Sequence, residues 1–258
     1  MLISFYEEFP TEENLQKLRW CDFPTKLYLA AYSLEEFKRV REMALEAKGD
    51  IEEVIYWPLL EKSEGYWLSP WSDRTALLRV IQEIEREGDL GVMWDAEVPR
   101  GNIRPKLDFF GNYQLIGRFF KNAHKAGIRI FVSELYLGRW AEGVLQAARL
   151  SFDPRRYGNW KILMLYSSIF GEKWRSIPQL IEGVGEMGVR TYGERFILAL
   201  GVIAKGVGGD EPLLSPQDLE RDLESASSSR VREVVIFRLG GLNRAYAEVV
   251  RTFAKRGE

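Results

Sequence analysis

Asp95 and Glu97 stand two residues apart in the run Leu90-Gly91-Val92-Met93-Trp94-Asp95-Ala96-Glu97-Val98-Pro99. In an extended chain alternate side chains share a face. Both carboxylates therefore point one way, with Gly91 and Met93, while Val92, Trp94 and Ala96 point the other. Two adjacent carboxylates repel, so one pKa rises and a protonated acid is left beside a carboxylate. That is a general-acid arrangement. The blander alternative is a solvated loop start whose acids cap the next helix. That helix is expected near Gly111-Asn112, beyond a Pro-Arg-Gly-Asn loop, which makes direct capping a poor explanation.

Other carboxylates are candidate partners for Glu97. Glu7 and Glu8 end a first apolar run, and Glu134 lies in Val132-Ser133-Glu134-Leu135-Tyr136. A retaining glycosidase with a protein nucleophile needs its carboxyls about 5 Å apart, and an inverting one needs a wider gap. The run Phe196–Ile203 holds no carboxylate, which disfavours a nucleophile there. A long segment from Trp57 to Trp71 carries Trp57, Tyr66, Trp67 and Trp71, while Tyr136, Trp140 and Trp174 follow later runs. Flat aromatic faces pack against the C–H faces of pyranose rings, so Trp57, Trp67, Trp71 and Tyr136 are candidate sugar-binding residues. Packing of these rings onto the barrel top is the alternative.

Two glycine-rich stretches suggest a different chemistry. Lys205-Gly206-Val207-Gly208-Gly209 and Gly240-Gly241-Leu242-Asn243-Arg244 follow the last two apolar runs. Many barrel enzymes hold phosphate on backbone N–H groups at such loops, with Lys205, Arg238 and Arg244 able to add charge. A phosphosugar isomerase or lyase is thus an alternative, although Asp210 and Glu211 would repel the anion. Arg238 and Glu8 are also candidate substrate contacts. A third alternative is a catalytically inactive carbohydrate-binding barrel.

Composition removes other chemistries. The 258 residues include one cysteine, Cys21, and one histidine, His124, with 36 basic and 38 acidic side chains. An internal disulfide, an iron–sulfur motif, a thiolate zinc site and any mechanism needing two imidazoles are excluded. A near-neutral charge gives no basic face for nucleic acid. No apolar run approaches the roughly 18 residues of a membrane span, and no signal peptide is evident at the start. The expectation is a soluble, cytoplasmic protein with a carbohydrate ligand, without nucleic-acid or membrane partners, and with no cofactor. Mg²⁺ or Mn²⁺ held by Glu97 and Glu134 would need only oxygen ligands, but their spacing does not demand a metal, and none is expected. Asn and Gln total only 12, a sparseness found in thermophilic proteins.

These residues must be positioned by a scaffold, and the period of the chain identifies it. Apolar, β-branched or aromatic runs begin near positions 2, 26, 52, 89, 128, 160, 195 and 231. Helical patterns lie between them, such as Leu34/Phe37/Val40/Ala44, Leu77/Ile81/Ile84 and Leu115/Phe119/Ala123. Ser33 with Glu36, and Ser215-Pro216 with Asp218, are helix-start signatures. Gly49, Gly88, Gly127, Gly158 and Gly188 each sit where a helix end wants a left-handed residue. Eight strand–helix units in 258 residues predict a single (β/α)8 TIM barrel over 1–258, a fold of about 250 residues. An open doubly wound sheet is the alternative, but no glycine-rich dinucleotide turn follows the first strand. Barrel sites lie at strand C-terminal ends. His124 and Cys21, at the opposite face, read as structural.

Once the barrel is in view, a family resemblance emerges. Gly91-x-x-x-Asp95-x-Glu97-x-Pro99 resembles the fourth-strand signature of chitinase-like glycoside hydrolases, D-G-x-D-x-D-x-E followed by Tyr-Pro. Met164-Leu165-Tyr166 resembles that family's M-x-Y-D on strand six. The resemblance implies that Glu97 donates the proton to the glycosidic oxygen. It implies that Asp95 positions the substrate's acetamido group, which acts as nucleophile, and that Tyr166 contacts that group. The chain departs from the pattern at Leu90 and Met93, where the signature has aspartates, and at Ser167, where it has another. It has no tryptophan at the end of strand eight, which reads Phe237-Arg238-Leu239-Gly240-Gly241.

Overall fold

The computed structural model describes residues 1–97, 108–136, 138, 152–169 and 178–254. Eight strands form where the apolar runs predict them: β1 (Leu2–Glu7), β2 (Lys26–Ala31), β3 (Glu53–Pro58), β4 (Gly91–Asp95), β5 (Arg129–Leu135), β6 (Trp160–Met164), β7 (Phe196–Gly201) and β8 (Glu233–Phe237). They neighbour one another in chain order and close β1 onto β8, a (β/α)8 barrel. The helices are α1 (Glu12–Leu15), α2 (Leu34–Ala47), α3 (Arg74–Glu87), α4 (Phe109–Lys125), α5 (Pro154–Tyr157), α6 (Pro178–Tyr192), α7 (Pro216–Ser228) and α8 (Arg244–Ala254). Pro99, Trp140 and Trp174 lie outside the described residues. No described helix is long and apolar enough to cross a membrane.

The chain packs as two compact units, Met1–Ala30 with Lys38–Val54 and Leu163–Glu258, and Ala31–Phe37 with Ile55–Ile162. In the second, alternation along the strands sets two faces. Trp94 is fully buried, with its ring 5.4 Å from Phe119 and 5.3 Å from Phe120 of α4. Tyr56 packs on Phe37 of α2 at 4.8 Å. Val92, Trp94 and Tyr56 therefore face helices, and Met93, Asp95, Ile55 and Trp57 face the barrel interior. α3 buries Ala76, Leu77, Val80, Ile81 and Ile84 along one stripe, and Asp73 starts it by accepting the Ala76 N–H at 2.9 Å.

In the first unit β1 pairs with β2 and β8, and β7 with β8, in parallel register. Ser215 caps α7 with Asp218 returning to the cap, and Pro216 occupies the first turn. Gly88, Gly127 and Gly158 take positive φ as their positions require. Gly49 and Gly188 do not: Gly49 sits in the turn after α2 without a positive φ, and Gly188 lies inside α6, where a Cβ would run into the Phe196 ring. Its role is close approach of α6 to β7, and Gly193 (φ 62) is the left-handed residue instead. Cys21 is buried, and burial pushes its thiol up to about 12, so no thiolate is available near neutral pH. His124 is exposed in the last turn of α4.

Candidate functional site

Asp95 is the last residue of β4 and only 2% exposed. It is in register with Ser133 of β5, itself completely buried, so a hydroxyl stands beside the carboxylate on the interior side. The ladder runs one residue past the strand, because Ala96 N–H donates to the Ser133 carbonyl at 3.0 Å. Half-buried Glu97 lies two residues beyond Asp95, next to that pairing. The Asp95 carbonyl accepts the Leu68 N–H at 2.9 Å, which ties the long aromatic loop to the end of β4.

Glu134 lies on the other face of β5. The register Trp94↔Val132 puts Val132 on the helix-facing side, and Glu134 shares its parity. Its carboxylate pairs with the buried ammonium of Lys161 and accepts the Phe152 N–H at 3.1 Å. The group is therefore committed to the layer behind the strand, and Ser133 occupies the interior place beside Asp95. The alternation Ile130–Val132–Glu134 identifies this face from the sequence alone. Lys161, the buried counter-charge, carries no such signal in its spacing.

The aromatic loop is also more structural than its composition suggests. Trp57, Trp71 and Tyr136 are buried (3, 8 and 4% exposed), and Trp71 meets Phe109 edge to face at 4.7 Å. Trp67 alone of these four is half-buried, with the Tyr66 ring set edge-on to it at 5.4 Å. Trp57 is the penultimate residue of β3, on the interior parity and buried. The loop is pinned at several points. Arg79 makes paired bonds of 3.0 and 2.9 Å to Glu64 and holds that carboxyl below its ordinary range. Asn112, 1% exposed, donates to the Pro70 and Ser72 carbonyls at 3.1 and 2.9 Å.

In the other unit, Tyr166 follows β6, is 6% exposed, and packs 5.7 Å from the Phe237 ring. It shares the parity of Met164, Ile162 and Trp160. The neighbouring Ser167 hydroxyl donates to Asp222 of α7, so the departure from the M-x-Y-D pattern is taken up by a buried structural bond. Glu8 is 5% exposed, and its carboxylate accepts the Val207 N–H at 3.0 Å. Arg238 bonds Glu7 at 2.8 Å and the Lys205 carbonyl at 2.9 Å, with its guanidinium 4.7 Å over the Phe9 ring. Glu7 also accepts from Phe9 N–H at 2.8 Å and Gly240 N–H at 2.6 Å. Burial raises the Glu7 pKa even though Arg238 and these donors oppose the shift. Glu8 and Arg238, the expected substrate contacts, thus each bond a backbone group of the glycine loop after β7.

The same bonds bear on phosphate. Of the N–H groups that could cradle an anion, Gly206 donates to Glu211 at 3.3 Å, Val207 to Glu8 and Gly240 to Glu7. Gly209 and Gly241 close turns onto the Gly206 and Arg238 carbonyls. Three carboxylates occupy the places an oxyanion would need, and Arg238 is already neutralised. A second buried polar cluster, without a signature in the sequence, lies at the strand starts. Glu233 accepts from Ser4 at 2.8 Å, Tyr28 at 2.9 Å and Lys26 at 3.0 Å. Burial, reinforced by Glu233, pushes the Tyr28 phenol well above its ordinary value. Its position at strand N-termini marks it as stabilising. Among the described residues no group of His, Cys, Asp or Glu converges as a metal site.

No family model and no curated protein matches the chain. Solved structures do. A GH18 chitinase from Pseudoalteromonas aurantia aligns with a TM-score of 0.58 at 11% identity, covering 97% of this chain and 99% of that one. A GH5-4 broad-specificity endoglucanase from Ruminococcus champanellensis with bound cellotriose aligns at 0.56 and 14%, covering 95% and 85%. A D-allulose 3-epimerase from Methylomonas sp. aligns at 0.56 and 10%, covering 97% of each. At these identities the likeness establishes the barrel, one that resembles chitinases distantly, and leaves the chemistry to the site.

Proposed function

We propose that the protein is a carbohydrate-active barrel that cleaves a glycosidic bond, with Glu97 as general acid. The observation that carries the reading is the end of β4: a buried Asp95 on the interior face, flanked by the Ser133 hydroxyl, with a half-buried Glu97 two residues beyond it. Two carboxylates on one face repel, so one of the pair holds its proton more strongly than an isolated carboxyl does, and the reading gives that proton to Glu97, the more open of the two. Glu97 protonates the leaving oxygen, and Asp95 stabilises the positive charge that develops at the sugar. Trp67 supplies the accessible aromatic face for a pyranose, and Trp57 the floor. Glu134 has no direct part. Likeness to a chitinase and a cellotriose-binding endoglucanase supports the substrate class, and the committed N–H groups of the glycine loops weigh against a phosphosugar.

Binding without turnover is a second reading, favoured by Met93. It is buried, faces the interior, and stands where the chitinase-like signature has an aspartate. One screen separates the two: wild type and Glu97→Gln against chito-oligosaccharides, cello-oligosaccharides and aryl glycosides, with binding followed calorimetrically. Turnover in wild type that falls roughly 10²–10⁴-fold in the variant, with binding retained, supports hydrolysis. Binding with no turnover in wild type supports the second reading, and neither binding nor turnover removes both.

A further inference from the structure

α4 carries a surface groove unrelated to the end of β4. It encloses about 400 Å³, and its walls include Phe109, Phe110, Tyr113, Arg118, Lys121 and Arg156. From Phe109 to Lys121 it follows one stripe of the helix for about 18 Å. Gly117 makes the floor: a Cβ there would come 3.1 Å from the Tyr157 hydroxyl, so the glycine lets α5 approach α4 and leaves a trough beside it.

The groove is polarised. At one end the wall is Phe110, 73% exposed, its ring set edge-on to Phe109 at 5.3 Å. At the other end stand Arg118, Lys121 and Arg156, all exposed. Among the described residues none of the three has a carboxylate partner. Arg118 donates only to the Gln114 carbonyl of its own helix, at 3.4 Å, and Arg156 lies 5.6 Å over the Tyr157 ring. The neighbouring Arg155, by contrast, is paired with Asp153 at 2.7 Å. No described acidic residue lines the groove.

We propose that this groove docks an acidic, apolar-anchored peptide segment of a partner protein. The complementary chemistry is fixed by what lines it: an aromatic side chain at the Phe110 end and carboxylates at the Arg118/Lys121/Arg156 end. Aromatic residues and arginine are the types that protein interfaces concentrate. The open Phe110 wall suits a chain laid along the helix better than a small molecule, whose sites bury most of the ligand surface. The site stands independently of the carbohydrate reading, since none of its residues belongs to it.

The test uses the full chain and a fluorescein-labelled dodecapeptide with a Phe-Leu pair followed by four glutamates. A second peptide carries lysines in place of the glutamates. Wild type is expected to bind the acidic peptide at low salt, with affinity falling as salt rises. Arg118→Glu/Lys121→Glu is expected to weaken it roughly 10-fold or more and to gain binding to the lysine peptide. Phe110→Ser should weaken both. All three positions are exposed, and an unchanged thermal melt confirms that the fold is intact. No binding by wild type, equal binding of both peptides, or equal binding by the charge-reversed variant overturns the proposal.

Discussion

Removing the Arg238 guanidinium tests whether that residue holds the loops or a substrate. Arg238→Met takes away the counter-charge of Glu7, whose side chain is completely buried, while keeping much of the arginine's apolar stem. Breaking a buried pair from one side costs about 3–5 kcal/mol because the remaining charge is uncompensated. For a chain of this size that corresponds to a fall of about 6–20 °C in Tm. The loss depends on pH. Burial already raises the Glu7 pKa, and Arg238 is the largest influence opposing that rise, so the variant's pKa is higher still. A carboxyl with a raised folded pKa stabilises the fold below its ordinary range and loses that contribution as pH rises through the folded value. Urea unfolding at pH 5 and pH 8 should therefore show the variant much weaker at pH 8 and closer to wild type at pH 5. Glu7→Gln in the Arg238→Met background should recover part of the pH 8 loss. Equal losses at both pH values with no recovery, or an unchanged stability with a raised KM, would refute the assignment of Arg238 as a loop tie.

Three further outcomes follow from the packing. Gly188→Ala forces a methyl to within 2.2 Å of the Phe196 ring, so urea unfolding should show a loss of about 1–3 kcal/mol. Trp71→Ala should cost about 3–5 kcal/mol in the same assay, whereas Trp67→Ala should leave Tm nearly unchanged and raise KM for oligosaccharides. Glu134→Gln should lower Tm by uncovering the buried Lys161 ammonium while leaving turnover unchanged. If turnover instead fell by roughly 10²-fold or more, Glu134 would return to the chemistry.

The barrel was legible because each strand is a short apolar run and each helix a 3.6-residue pattern. Those are local signals, and β1 to β8 appear where the runs begin. The end of β4 was legible for the same reason, since alternation alone sends Trp94 to α4 and Asp95 inward. For Glu134 residue type and parity pull apart: the type suggests chemistry, while the parity places it on the helix-facing side with Lys161. Arg238 and Glu8 need tertiary knowledge. Their partners, Glu7, Lys205 and Val207, come from other strand ends, and no spacing reveals that a glycine loop's N–H groups are already used. Gly188 shows the same limit from the other side: a glycine after a helical pattern reads as a stop, and only Phe196 packed against it shows a contact. The aromatic loop looks like a platform in composition, but Trp71 is packed on Phe109 and its neighbours Pro70 and Ser72 are held by Asn112, residues far away in sequence.

If Glu97 delivers a proton to the leaving oxygen, the rate must depend on how much the leaving group needs that proton. Glycosides of one sugar with phenols of falling pKa are compared in wild type and Glu97→Gln. The variant is expected to lose roughly 10²–10⁴-fold for poor leaving groups, with the loss shrinking toward wild-type rates for dinitrophenyl glycosides, which need no proton. A loss that is the same for every leaving group, or no loss at all, contradicts proton delivery by Glu97.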